Sequence, residues 1–181
     1  METLSIEELL ESPGLVIELW RKPTNETLQT VCAPFDESEF GTRLEQFGLQ
    51  MLKAMRDKNG AGLAGPQVGL VKRIFVMTFP DNEQTKPIVC VNPELKLAGK
   101  DWVANEGCLS LPGVRGLVRR KSNVVLNYRT PLGKTEEMEL DHLDGRVAQH
   151  EFDHLEGIMF WEHMQDKAAA KVLAEYFKWR N

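Results

Sequence analysis

The residues best suited to chemistry in this chain form the pentapeptide His150-Glu151-Phe152-Asp153-His154. On a helix, positions i and i+4 project from one face, so both imidazoles can bind one metal ion while Glu151 lies beside it. Two histidines that hold a divalent metal, with a carboxylate near the metal's water, are suited to hydrolysing an unreactive carbonyl group. The pentapeptide therefore predicts metal-dependent hydrolysis. A charged turn on a surface helix is the less specific alternative.

A catalytic site of this kind needs a third protein ligand, and the residues alone leave two candidates. Metzincin proteases use a histidine six residues after the second one, and Phe160 at that position excludes their pattern. In thermolysin-like proteases the ligand is a glutamate further downstream, where this chain has Glu175. Cys108 lies upstream, between a glycine and a strand-like segment, where a thiolate could reach a metal. Because a buried cysteine is more often a small apolar residue, both candidates stay open at this point.

The composition is that of an ordinary globular protein. Of the 181 residues, 42% are hydrophobic and 27% are charged, and the net charge of −5 indicates no general attraction to nucleic acid or to an anionic membrane. We therefore expect one catalytic domain over residues 1–181, with no DNA partner and no membrane association. Three cysteines without close spacing argue against a disulfide framework, and the acidic N-terminus is unlike a signal peptide, so we expect a cytoplasmic location.

Hydrophobic periodicity predicts the helices. Ser5, with Glu8 three residues later, predicts a short capped helix over residues 5–12. The clearest amphipathic helix is predicted over residues 37–58, where apolar side chains recur at steps of three and four. The helix that carries the pentapeptide is expected to begin near residues 141–144, and an alanine-rich helix is expected over residues 167–179.

Short segments rich in β-branched and aromatic residues lie between these helices, and they predict strands at residues 73–79, 88–91, 123–128 and 136–140. Helices at both ends, with strands between them and no alternating βαβ rhythm, indicate an α+β fold. We expect short mixed or antiparallel sheets around a central metal-binding HExxH helix, with an N-terminal amphipathic helix and a C-terminal helix.

Three segments together resemble a known family. They are GAGLAGPQVG at residues 60–69, EGCLSLPG at residues 106–113 and QHEFDHLEG at residues 149–157. They look like the three motifs of peptide deformylase, in that family's order, and the resemblance covers nearly the whole chain. Three separate motifs in order are far more specific than any one of them.

The resemblance implies roles for the residues of these motifs. The implied metal ligands are Cys108, His150 and His154, and Glu151 is the implied general acid and base. The Gln67 side chain and the backbone N–H of Leu109 would donate hydrogen bonds to the developing oxyanion.

The resemblance also implies a substrate-binding set, consisting of Gly62, Glu106, Gly107, Arg115 and Leu143. The Gly62 backbone would bind the peptide, and Arg115 matches the arginine that pairs with the motif glutamate Glu106. Leu143 and Arg146 would border the methionine pocket.

The implied activity is the hydrolysis of the formyl group from formyl-methionyl nascent peptides, which releases formate. The implied cofactor is one divalent metal ion, expected to be Fe²⁺ physiologically, with Zn²⁺, Ni²⁺ or Co²⁺ as substitutes in purified protein. One alternative is a general HExxH metallopeptidase that uses Glu175. Another is a non-catalytic module that binds metal or docks on the ribosome.

The C-terminal helix suggests a second partner. Residues 166–180 contain four basic and two acidic side chains, which gives a local charge of +2 in an otherwise acidic chain. Contact with ribosomal RNA, as in some members of the family, is one interpretation. Packing of Val172, Leu173 and Phe177 on the core is the favoured one.

Overall fold

The computed structural model describes residues 4–19 and 25–180, and these contain five α-helices and five β-strands. The helices are α1 (Ile6–Glu11), α2 (Glu26–Gln29), α3 (Thr42–Asp57), α4 (His142–Leu155) and α5 (Asp166–Arg180). The strands are β1 (Gly62–Ala64), β2 (Ile74–Met77), β3 (Ile88–Cys108), β4 (Leu111–Arg129) and β5 (Thr135–Asp141). Short 3-10 helices occur at Glu37–Glu39, Gly65–Val68 and Phe160–His163.

The five strands form one antiparallel sheet in the order β1-β2-β3-β4-β5. Side chains alternate between its two faces, as strand geometry requires. Ile74 and Val76 of β2 pack in one cluster with α3, while Phe75 and Met77 pack in another with α4. The sheet therefore lies between α3 and α4, and each helix covers one of its faces. Helix α5 adds a third cluster against β4 through Val172 and Tyr176.

The predicted helices are found, with one correction. Helix α1 has the predicted capping box of Ser5 and Glu8, and α5 covers the predicted C-terminal helix. The amphipathic helix begins at Thr42 and not at residue 37. Phe40 has an extended backbone, and its ring lies under the Arg129 guanidinium instead of continuing the helical stripe. The apolar spacing at Phe40 thus reflects a tertiary contact.

The four predicted segments fall on β2, β3, β4 and β5, but the lengths of β3 and β4 are wrong, and the short strand β1 was not predicted. Strands β3 and β4 have 21 and 19 residues, because they continue as a long hairpin beyond the predicted segments. Gly99 of β3 has a φ of +74° at a shift of register between Ala98 and Asp101. A glycine in that conformation resembles a turn in the sequence, although here it marks an irregularity inside a strand.

The α+β class is confirmed, and the several short sheets that were expected are a single antiparallel sheet. Helix α4 begins within the predicted region. Across residues 4–19 and 25–180, no helix combines the length and apolar character needed to cross a membrane.

Candidate metal centre and substrate cavity

The two histidines of the pentapeptide lie near the C-terminal end of α4. Their ring centroids are 5.0 Å apart, and both side chains are buried. Cys108 ends β3, immediately before the two-residue turn that leads into β4. Its Sγ lies 3.3 Å from Nε2 of His154. The structure thus brings the Cys108 thiol to the two imidazoles, although Cys108 precedes both histidines by more than 40 positions in the chain.

One donor atom from each of these three side chains lies within 4.8 Å of the other two. Among the described residues, no other three His, Cys, Asp or Glu side chains are grouped in this way. Ligand distances of about 2.0–2.3 Å for nitrogen and sulfur would let a single divalent ion contact all three. A thiolate with two imidazoles is a donor set that suits zinc or divalent iron. The residues therefore fit a metal ion of the expected kind.

Glu175 is excluded as the third ligand. It lies on the exposed side of α5, where Lys171 Nζ is 3.9 Å from its carboxylate. The alternative left open by the sequence is therefore wrong, and Cys108 is the residue that approaches the two histidines.

Glu106 orients His150 from the side opposite to the thiol. Its Oε2 lies 2.9 Å from His150 Nδ1, and because a carboxylate can only accept, that ring nitrogen must carry the proton. The other ring nitrogen, Nε2, then has a lone pair that is free to bind a metal, as in many carboxylate–histidine–metal arrangements. Although burial opposes ionisation, the bonds from His150 and Arg120 hold the pKa of Glu106 well below its usual range.

The arginines that pair with Glu106 are not the expected one. Arg120 binds Glu106 through two nitrogens, at 2.5 and 2.9 Å, and Arg146 binds it at 2.6 Å. Arg115 is exposed at the rim of the cavity, so its predicted pairing with Glu106 is wrong. The reason is the hairpin register: Arg120 faces inward on β4, while the side chain of Arg115 points to solvent.

Glu151 is buried beside the metal donors. Burial raises the pKa of its carboxyl group to about 7, so the group can both accept and release a proton near neutral pH. Its Oε2 has no hydrogen-bond partner among residues 4–19 and 25–180. A buried carboxylate oxygen without a partner is rare and is typical of catalytic groups, and this one lies in the wall of the cavity.

Gln67 is held in position at both ends of its amide. Its Oε1 accepts a hydrogen bond from the Ala64 backbone N–H at 2.8 Å. Its Nε2 donates towards Ser110 Oγ at 3.2 Å and Cys108 Sγ at 3.4 Å. The amide N–H group thus lies next to the metal donors, where the sequence predicts an oxyanion donor. Ser110 was not identified from the sequence, because no motif role pointed to it.

A cavity of about 410 Å³ opens onto these groups. All the residues predicted to bind substrate or stabilise the oxyanion line it, namely Gly62, Gln67, Glu106, Gly107, Leu109, Arg115 and Leu143. Glu106 is a special case, since its carboxylate is occupied by the two arginines and His150. Glu106 therefore holds His150 in position. Both of its carboxylate oxygens are already bonded within the protein, so neither is free to contact a substrate.

Comparison with known proteins agrees with this geometry. The model of the polypeptide deformylase family matches residues 19–170. A peptide deformylase of Chlorobium phaeobacteroides is 37% identical over 155 residues, which are 84% of this chain and 83% of that protein. A peptide deformylase of a Picosynechococcus strain is 42% identical over 122 residues, which are 66% of this chain and 65% of that protein. The chain therefore belongs to the polypeptide deformylase family.

Solved structures of the family have the same fold. A peptide deformylase from Synechococcus elongatus in complex with actinonin superposes with a TM-score of 0.81 at 31% identity, over 91% of this chain and 89% of that one. A class I type b peptide deformylase from Acinetobacter baumannii with bound Met-Ala-Ser gives a TM-score of 0.75 at 32% identity, over 83% of this chain and 98% of that one.

Gly62 leaves room for no side chain, and this generates the first prediction. A Cβ atom at Gly62 would lie 2.3 Å from Oε1 of Glu151, so Gly62→Ala must displace the carboxylate. We expect the kcat for formyl-Met-Ala to fall by about 10²-fold, because small displacements of reacting groups cost about that much. Metal content, measured by elemental analysis, should stay at the wild-type level.

The matched control is Gly14→Ala, since no atom lies within 4 Å of a Cβ at that position. It should behave as the wild type. A Gly62→Ala enzyme of full activity would show that the contact with Glu151 does not fix the catalytic geometry.

Proposed function

We propose that this chain is an active peptide deformylase in which Cys108, His150 and His154 hold one divalent metal ion. The observation that carries the proposal is the convergence of these three donors within 4.8 Å, beside a cavity that Cys108, His150 and Glu151 line. Residues 1–181 act as one catalytic domain, and the free cysteines support a cytoplasmic location.

The substrate is a peptide that begins with formyl-methionine. The Met-Ala-Ser peptide bound by the Acinetobacter relative is the kind of product that such a reaction leaves. Leu143 and Val147 give one wall of the cavity an apolar surface suited to the methionine side chain. The Gly62 backbone at the edge of β1 can pair with the backbone of an extended peptide, and Arg115 at the rim can contact residues further along it.

The reaction needs a nucleophile, a proton carrier and a group that stabilises negative charge. A divalent ion supplies Lewis acidity and lowers the pKa of a water molecule. Glu151 accepts the proton of the attacking water, whose oxygen bonds to the formyl carbon. Glu151 then returns that proton to the leaving nitrogen as the carbon–nitrogen bond breaks. The products are formate and a free amine.

Negative charge grows on the formyl oxygen during attack. The Gln67 amide and the Leu109 backbone N–H donate hydrogen bonds to it, and one such donor is typically worth about 2.7–4 kcal/mol. The hydrogen bond from Ala64 to Gln67 Oε1 fixes which end of the amide faces the site, so the NH₂ group is presented to the substrate.

The types of the three donor groups limit which metal ions can bind, but they do not select a single ion. A thiolate with two imidazoles accepts Fe²⁺, Zn²⁺, Ni²⁺ and Co²⁺. We propose Fe²⁺ as the physiological ion. Because Fe²⁺ binds more weakly than the later ions of the series, purified protein can carry one of the others.

Ribosome contact through α5 stays a prediction. Lys167, Lys171 and Lys178 are exposed on this helix, while Val172 and Tyr176 are buried against β4. The buried residues agree with the favoured interpretation of α5 as a packing helix, and the exposed lysines supply the charge that RNA contact would need.

Substrate class provides the test of the proposed function. Formyl-Met-Ala should be hydrolysed, while acetyl-Met-Ala should be largely refused, because the extra methyl group displaces the carbonyl carbon from the fixed donors. Release of the free amine can be followed for both peptides. Equal turnover would favour a broader amidohydrolase, and failure to hydrolyse either peptide with metal bound would favour the non-catalytic module.

Metal binding should depend on one of the three cysteines. Cys108→Ala removes one of three protein ligands, so metal content and activity should be lost together. Cys32→Ala is the matched control, since Cys32 is equally buried but lies in the cluster that includes Phe75 and Leu155. Elemental analysis after gel filtration gives the metal content. A Cys108→Ala protein with full metal occupancy would require a different ligand.

Glu151→Gln separates binding from chemistry. The amide is nearly isosteric but cannot accept the proton of the water, so kcat should fall by about 10²–10⁴-fold. Metal content should be close to normal, because Glu151 does not belong to the donor group. Retention of more than about a tenth of the wild-type kcat with metal bound would mean that Glu151 is not the general base.

A further inference from the structure

Arg146 lines the substrate cavity, but its charge is directed into the protein. Only 4% of the residue is exposed. Its Nη1 donates to Glu106 Oε1 at 2.6 Å and to the Val118 carbonyl at 3.0 Å, and its Nη2 donates to the Trp102 carbonyl at 2.7 Å. The guanidinium also lies 4.5 Å from the centre of the Trp102 ring. A place at the border of the predicted methionine pocket therefore does not explain the contacts of the Arg146 guanidinium.

The position of Arg146 relative to His150 is the informative feature. The two residues are four apart on α4, so their side chains project from the same face of the helix. Both bind Glu106: Arg146 contacts Oε1 and His150 contacts Oε2. One carboxylate from β3 is therefore bound at two successive turns of α4, which restricts its rotation relative to the helix.

Arg120 binds the same carboxylate from β4, but it has a second partner. Its Nη1 lies 2.7 Å from Asp153 Oδ2, and Asp153 also contacts His163 at 2.7 Å. Arg120 and Arg146 together balance the charges of Glu106 and Asp153, so the cluster of these four side chains, in which only Asp153 is half-buried, is neutral. A neutral cluster tolerates burial, and each of its members is costly to remove alone.

We propose that Arg146 is a positioning residue for the metal centre, which fixes Glu106 and through it the ring of His150. This inference rests on the proposed metal site. A ligating histidine whose second nitrogen donates to a carboxylate depends on that carboxylate, and loss of such support typically costs about 10–100-fold in metal affinity or activity. Arg146 is one contact further from the metal, so its loss should cost about tenfold, at the low end of that range.

Two substitutions separate geometry from charge. Arg146→Lys keeps the charge but cannot reach Glu106 and both carbonyl oxygens at once. Arg146→Met keeps the aliphatic stem and leaves the cluster with one excess negative charge. If Arg146 acted by charge alone, the Lys variant would bind metal normally and the Met variant would bind a cation more tightly. Positioning predicts that both variants release metal faster.

The measurement is the rate at which Zn²⁺-loaded protein transfers its ion to a chromogenic chelator in excess. We expect about tenfold faster release from both Arg146 variants, together with a changed visible absorption spectrum of the Co²⁺ form. Arg119→Lys and Arg119→Met are the matched controls, because Arg119 is the exposed neighbour of Arg120 and its anionic partner is Asp101 at 3.5 Å. They should release Zn²⁺ at the wild-type rate.

A double-mutant cycle tests the route through Glu106. In a Glu106→Gln background, Arg146→Lys should cause little further increase in the release rate, because the link to His150 is already changed. Wild-type release from both Arg146 variants, or effects that add fully to that of Glu106→Gln, would overturn the proposal. Loss of the fold in both variants, seen by circular dichroism, would overturn it as well, since Arg146 would then be a structural residue.

Failure of the proposed function gives a different result. If the wild-type protein does not retain Zn²⁺, or if Cys108→Ala retains it equally well, the metal site itself is wrong. If the wild type binds Zn²⁺ through Cys108 while the Arg146 variants match it, the site stands and only the role of Arg146 is lost.

Discussion

The buried carboxylate of Glu106 joins the three elements on which the site depends. It belongs to β3, accepts hydrogen bonds from Arg120 of β4, and accepts two more from Arg146 and His150 of α4. A charged group in the interior must have its partners supplied by the protein, because water is excluded. The helix with the two histidines is therefore fixed against the hairpin that carries Cys108, and the positions of the donors follow from this contact.

Two buried carboxylates have opposite properties in this site because their surroundings differ. Glu106 is surrounded by cationic and N–H donors, which keep it ionised and committed to structure. In the described part of the chain Oε2 of Glu151 has no hydrogen-bond partner, and burial raises the pKa of Glu151 to about 7. Differences of this kind separate the groups that hold a site together from those that can carry protons.

Secondary structure with local causes could be predicted from the sequence. The capping box of Ser5 and Glu8, the helix around Phe47 and Met51, and the helix of the pentapeptide depend on residues close together in the chain. The lengths of β3 and β4 could not be predicted in this way. In the middle of β3 most positions are exposed and Gly99 interrupts the strand, so the alternation that marks a strand is weak there.

The sequence by itself determined the donor types, the helical spacing of His150 and His154, and the family to which the motifs belong. It left Cys108 and Glu175 as alternatives, and it misassigned the partner of Glu106 to Arg115. Only the tertiary structure decided these points. Glu106 lies 14 residues from Arg120 and 40 from Arg146, so their contacts depend on the register of a long hairpin and on how α4 packs against it. Neither property leaves a periodic pattern along the chain, because both arise from packing between segments far apart in sequence.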